Sequence, residues 1–185
     1  MTPEELEKNN QGQHLLGRSF HKAAGLTGKI FMDRIPLPTP NRPNPLLVVS
    51  SKFISLAKQC GLLNVDFSSI DLDYCVDLFD PPADDLYWRY DFDDGSNVLG
   101  DHPQVVLASC QKAKRAPATV TEGLAIVREH RGALFHHWVE LPGTTHYISD
   151  TPALVIHKGT TFLTCLDRRK GTPQVKFGSA TFAAQ

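Results

Sequence analysis

Residues 66–101 hold eleven aspartates, no glutamate and a single basic side chain, Arg89. Such a block can bind a cation through oxygen ligands, dock a basic partner, or supply carboxylates for general acid–base work. Its densest part is Asp91-x-Asp93-Asp94-Gly95-Ser96-Asn97. An EF-hand loop needs acceptors at positions 1, 3 and 5, glycine at 6 and glutamate at 12. Counted from Asp91, positions 5, 6 and 12 hold Gly95, Ser96 and His102, so the pattern fails. Asp91, Asp93 and Asp94 stay as candidates for a looser binding site, set against a plain hairpin turn at Asp94-Gly95.

Histidines form the second set. His136 and His137 are adjacent, with His130 six residues before the pair and His146 nine after it. On a helix His130 and His137 share a face, whereas His136 and His137 cannot both turn to one metal. No H-E-x-x-H or H-x-x-x-H pair occurs, so no zinc site is expected, and no metal or cofactor is assigned. His136 is kept as a binding candidate. A small hydrolase or transferase would need Asp91 and Asp93 to converge with a histidine from His130–His146.

Other signatures are weaker. Arg168-Arg169-Lys170-Gly171 is the one tight basic cluster, which makes Arg168 and Arg169 candidates for a small anion, although a charged hairpin tip is ordinary. Cys165 and His157 could pair as thiol and imidazole, but a buried structural cysteine is the simpler expectation. Gly25-Leu26-Thr27-Gly28-Lys29 is too short for a phosphate loop, and Ile30 stands where Ser or Thr would hold magnesium. No G-x-S-x-G elbow is present.

These groups sit in 185 residues, 41% of them hydrophobic, with a net charge of −1. That is enough chain and apolar content for one core of ordinary size. The near-zero total hides a segregation: residues 1–65 carry +4, 66–101 carry −10, and 102–185 carry +5. A −10 block repels phosphate, so nucleic acid is not an expected partner. No run approaches the ~18 apolar residues of a membrane helix. The acidic start, Met1 to Glu7, is unlike a secretory leader. Four separated cysteines fit free thiols in a reducing cytoplasm. The expectation is a cytoplasmic binding or interaction domain, acting on an unknown protein partner or on a second copy of itself.

The elements that must position these residues are partly readable. Thr2-Pro3-Glu4-Glu5 is a capping box, and Asn9-Asn10-Gln11-Gly12 predicts an early end to its helix before a second one over 14–24. Five prolines within 36–45 predict an extended connector, a spacer more than a polyproline ligand. Leu46–Val49 predicts a buried strand, and Ser50 or Ser51 a helix to Cys60 ended by Gly61. Leu86–Phe92 predicts a strand, a self-association edge if left open, and Pro103–Lys114 a helix. Thr119-Val120-Thr121-Glu122 is a second capping box, starting a helix to about His130. Residues 153–157, 160–166 and 174–182 predict an antiparallel meander. Helices and strands without strict alternation give an α+β class, with helices on a mostly antiparallel sheet. Residues 1–45 are expected as a helical segment plus connector, and 46–185 as the α+β domain.

Three stretches carry a resemblance: Tyr90-Asp91-Phe92-Asp93-Asp94-Gly95, then Arg115-Ala116-Pro117-Ala118-Thr119-Val120-Thr121-Glu122-Gly123-Leu124-Ala125, and finally Pro152–Ile156 with Phe177-Gly178-Ser179-Ala180. Their order and spacing resemble an uncharacterised bacterial family, a domain of unknown function common in actinobacteria. The R-x-P-x-T-V-x-E-G-[LI]-A segment is the most specific part. Phe177 departs from the resemblance, which implies tryptophan before Gly178-Ser179-Ala180. The resemblance implies a bacterial domain over roughly residues 45–182, and no activity or catalytic residue.

Overall fold

Thr2 and Glu5 start the first helix reciprocally: the Thr2 hydroxyl accepts from the Glu5 amide at 3.2 Å, and Glu5 Oε2 accepts from the Thr2 amide at 2.8 Å. In this computed structural model, which describes residues 1–147, 150–166 and 176–184, α1 spans Pro3–Gly17 without the expected interruption. The reason is tertiary. Gln11 is buried; its Nε2 donates to Pro45 O and Glu7 Oε1, each at 2.6 Å, and its Oε1 accepts from Leu47 N at 2.7 Å. A Cβ at Gly12 would meet Met32 Sδ at 2.6 Å, so this glycine permits close helix approach and ends nothing. Two short helices follow, α2 (Phe20–Ala23) and α3 (Gly28–Arg34). The Gly25–Lys29 segment is the start of α3, where the Thr27 hydroxyl accepts from the Ile30 amide at 3.3 Å.

The proline-rich segment crosses extended to β1 (Leu46–Val49). It lies against the protein: Trp88 Nε1 donates to Pro36 O at 2.9 Å, and the Thr39 amide donates to the Tyr90 hydroxyl at 2.7 Å. The next helix, α4, is Leu56–Leu63, later at both ends than expected. Gly61 keeps a helical backbone; Asn64, at φ 54°, is the left-handed residue that closes the helix. β2 (Val65–Asp66), β3 (Cys75–Asp77) and β4 (Leu86–Arg89) come next, and β4 pairs antiparallel with β1 and is buried throughout.

Asp93-Asp94-Gly95 does not turn a hairpin. Gly95, at φ 82°, leads into a 3₁₀ turn at Ser96–Val98, while Asp93 bridges to Thr181 far along the chain. Then follow α5 (Pro103–Ala113), β5 (Arg115–Pro117) and α6 (Val120–Glu129), with α6 beginning at its predicted box. After α6 the chain makes a 3₁₀ turn at Arg131–Phe135 and enters β6 (Trp138–Glu140). The remaining strands are β7 (Thr144–His146), β8 (Thr151–His157), β9 (Thr160–Leu166), β10 (Phe177–Ser179) and β11 (Thr181–Ala183).

β8 and β9 form the antiparallel heart of a five-stranded sheet ordered β10-β6-β8-β9-β2. Its third C-terminal strand, β10, joins beside β6 in parallel, and β11 leaves to pair antiparallel with β5. Among the described residues five of the seven strand pairings are antiparallel, so the class is α+β. Leu15, Phe20 and Phe31 from the first three helices, with Ile35 just after α3, share one core with β1, β4, α6 and Phe182. Among the described residues no helix is long and apolar enough to cross a membrane. Because Phe31 is fully buried in that shared core, Phe31→Ala is expected to cost about 3 kcal/mol in urea unfolding. A loss below about 1 kcal/mol would show that the N-terminal helices only decorate the fold.

Candidate functional site

The second capping box does more than start a helix. Glu122 is fully buried, and its Oε2 accepts from the Thr119 amide at 2.8 Å and the Thr119 hydroxyl at 3.1 Å. Its Oε1 accepts from Nε of Arg89, which reaches over from β4 and is itself 8% exposed. A carboxylate out of water needs such a set of donors, since desolvation alone costs several kcal/mol. Next to it, the Val120 amide donates to the Thr144 hydroxyl at 2.9 Å, which donates to Asp77 Oδ1 at 2.5 Å. The N-terminus of α6 thus gathers β3, β4 and β7. Burial raises the Asp77 carboxyl above its ordinary range, opposed by the Thr144 bond and reinforced by the charge of Glu122. Burial also raises the Tyr87 phenol, with Glu122 adding to the effect.

The sequence candidates fall elsewhere. Asp91 has a left-handed backbone (φ 53°), and both its side chain and its carbonyl are held by Arg115: Nη1 donates to Oδ2 at 2.7 Å and Nη2 to the carbonyl at 2.6 Å. Arg115 Nε donates to the Thr181 hydroxyl at 2.7 Å. Asp93 Oδ1 accepts from the Gly95 amide and Asp94 Oδ1 from the Ser96 amide, each at 2.9 Å. Both carboxylates are therefore spent on their own turn. Asp91, Asp93 and Asp94 line one open depression with Arg115, and no histidine lines it. His137 Nε2 donates to the Asp94 carbonyl at 2.8 Å, on the backbone side. His130 stacks on Phe92 at 5.3 Å, its pKa lowered by burial, and His136 is exposed. Arg168 and Arg169 lie outside the described residues. His157 faces Thr160 at one end of the β8–β9 hairpin and Cys165 faces Pro152 towards the other, so they do not meet.

The middle of the acidic block builds a two-stranded ribbon instead. β3 pairs antiparallel with β7, Val76 opposite Thr145. The Leu78 amide donates to Gly143 O, and the Tyr147 amide to Tyr74 O. Hydrogen-bonded pairs alternate in such a ladder, so residues 74, 76 and 78 point their backbone groups at β7, while 75 and 77 point theirs away. The Cys75 amide closes the preceding turn on Leu72 O. Cys75 O, Asp77 N and Asp77 O have no backbone partner among the described residues. Tyr74, Val76, Leu78, Phe79 and Tyr147 are about half exposed, with Tyr74 stacked on Tyr147 at 4.3 Å. Asp71, Asp73 and Asp80 are exposed around them.

A family model matches residues 32–175, more than three quarters of the chain. The chain belongs to DUF5701, a family of unknown function. No curated protein and no solved structure matches it. The DUF5701 match opens inside α3 and takes in the proline-rich connector, the ribbon and the α6 terminus. In this DUF5701 chain the R-x-P-x-T-V-x-E-G-[LI]-A segment has a physical content. Arg115 fixes Asp91, Thr119 and Glu122 cap α6, and a Cβ on Gly123 would meet Leu141 Cδ1 at 2.7 Å. The lone base of the acidic block, Arg89, is the partner Glu122 requires. That single base was the available signal, as was the apolar alternation at 74, 76 and 78. All four cysteines are free, and burial holds the Cys60 and Cys165 thiols up at about 12 and Cys75 at about 11.

Glu122→Ala should cost about 3 kcal/mol in urea unfolding at pH 7, because it strands a buried guanidinium. Arg89→Met with Glu122→Leu should cost less than that single change. Equal losses would mean that the charge pairing is not what matters. Asp77 gives a pH test. Its folded pKa is raised, so the stability linked to its neutral form is present at and below the ordinary carboxylate value and fades as pH rises through the raised one. Asp77→Asn should therefore gain stability relative to the parent towards pH 7, and the gain should vanish towards pH 4. A pH-independent difference would contradict this.

Proposed function

We propose that this chain is a protein-interaction module of the bacterial cytoplasm that takes a basic, extended segment of a partner as an added strand on the free edge of β3. One observation carries the reading: the edge formed by Cys75 O, Asp77 N and Asp77 O, which has no partner among the described residues. An added strand satisfies such groups with main-chain bonds, and alternate side chains give specificity. The exposed Tyr74, Val76, Leu78 and Tyr147 offer aromatic and β-branched contacts to a neighbouring strand. Asp71, Asp73 and Asp80 around them favour lysine and arginine at the polar positions of the incoming segment and steer its approach. Four free cysteines accord with a reducing compartment, and the bacterial setting follows the resemblance carried by the Arg115–Ala125 segment. β4 is a poorer edge for self-association, because all four of its residues are buried.

The test uses the full chain with two synthetic heptapeptides, one alternating lysine with valine and one alternating glutamate with valine. Residue-resolved hydrogen exchange should show the Asp77 amide slowed by the lysine peptide and untouched by the glutamate one. The affinity should fall with added salt, and Val76→Asp should weaken it about tenfold. Unchanged exchange at Asp77, equal response to both peptides, or protection arising from dimers of the chain itself would each overturn the reading.

A further inference from the structure

Arg89 is half committed. Its Nε serves Glu122, but its two Nη nitrogens, carrying four N–H donors, find no hydrogen-bond acceptor among the described residues. Neither Nη is among the polar atoms sealed from solvent. Arg89 forms part of the wall of a cleft of about 350 Å³, set between the loop that leaves β3 and helix α5. The second arginine of that cleft differs: Arg115 spends Nε, Nη1 and Nη2 on Thr181 and Asp91. A guanidinium fixed from behind on Nε, with its outer edge open, presents a planar pair of donors, the geometry that a carboxylate receives with two oxygens.

The rest of the cleft narrows the ligand. Phe79 and Pro82 on one side and Leu107 on the other make its lining largely apolar. Asp80 also borders it, which opposes a second negative charge on whatever enters. Its volume lies at the small end of the roughly 300–1,000 Å³ typical of ligand pockets. The buried Cys110 thiol is also on the lining, and its pKa is raised by burial, so this wall offers no ready thiolate. We infer that this cleft is a binding site for a small monocarboxylate with an apolar body, its carboxylate on the outer edge of Arg89 and its body between Phe79 and Leu107. The inference does not rest on the strand-addition reading, since it uses neither the β3 edge nor the ribbon face; Asp80 is the one residue that both invoke.

Benzoate and hexanoate serve as probes on the full chain, with benzamide as the neutral counterpart of benzoate and inorganic phosphate as the competing anion. Ligand-observed NMR or calorimetric titration should show both carboxylates binding, and benzamide and phosphate at least about tenfold weaker. Leu107→Trp fills the cleft while leaving the Arg89–Glu122 pair in place. It should abolish benzoate binding and leave the circular dichroism melt intact. Arg89→Lys keeps the charge but loses the planar fork, and should weaken benzoate about tenfold. Val76→Asp should leave benzoate binding unchanged, which separates this site from the ribbon. Equal binding of benzamide, preferential binding of phosphate, no carboxylate binding, or benzoate binding that survives Leu107→Trp would overturn the inference.

Discussion

A single carboxylate, that of Glu122, sets the constraint around which the chain is arranged. Out of water it is tolerable only while Thr119 and Arg89 both donate to it. Those donors come from the helix start and from a strand some thirty residues earlier. The demand therefore fixes where β4 lies relative to α6, and through the β1–β4 ladder it fixes β1 as well. The orphan amides of the helix start extend the same logic. Val120 N is satisfied by Thr144, which belongs to β7, and Thr144 in turn holds Asp77 of β3. Apolar packing gives this region its bulk stability, and the polar set decides which packing is adopted.

Local chemistry was legible in the sequence, and tertiary chemistry was not. Both threonine–glutamate boxes start helices where their spacing says, because the donors and acceptors lie within one turn. β1 and β9 match their apolar runs because proline and Lys-Gly punctuate them. Gln11-Gly12 misleads for the opposite reason. A polar residue and a glycine read as a helix end, yet they are there to bridge to Leu47 and to admit Met32. Asp94-Gly95 reads as a hairpin, whereas the partner of Asp93 is Thr181, at a separation no local pattern reveals. The Arg115–Ala125 segment was visible as a string of letters, but its meaning depends on Arg89 and Asp91, which lie outside it.

The acidic block illustrates why a charge count is a poor description of a field. Ten net negative charges along the sequence separate in space into different populations. Asp91 and Asp85 are paired with Arg115 and Arg34. Asp66, Asp93 and Asp94 accept from backbone amides two residues on, which is why aspartate and not glutamate is used there. Asp77 is drawn into the polar set beneath α6. Asp73, Asp80, Asp84 and Asp101 face solvent, and their carboxylates have no hydrogen bond or ion pair among the described residues. The site candidates with the highest local charge density are thus the most fully employed by the fold. The enzyme alternative, Asp91 and Asp93 with a histidine from His130–His146, lacks an imidazole along the depression those carboxylates share.

The two surfaces proposed for binding meet along one stretch of chain. The last ladder bond of the ribbon is Leu78 N to Gly143 O, and the next residues, Phe79 to Pro82, form one wall of the Arg89 cleft. Pro81 and Pro82 restrict that wall, since each fixes its own φ and biases the residue before it. Gly143 is held against Ala118 at the start of α6, where its amide donates to Ala118 O at 2.8 Å. The ribbon, the cleft wall and the helix terminus are therefore anchored at neighbouring points. A segment added to β3 extends a ladder whose far end abuts the same buried polar set that orients Arg89. A ligand on one surface shifts affinity at the other only so far as it favours a different arrangement of that shared wall. The proline pair argues for a small difference, and hence for two sites that act nearly independently.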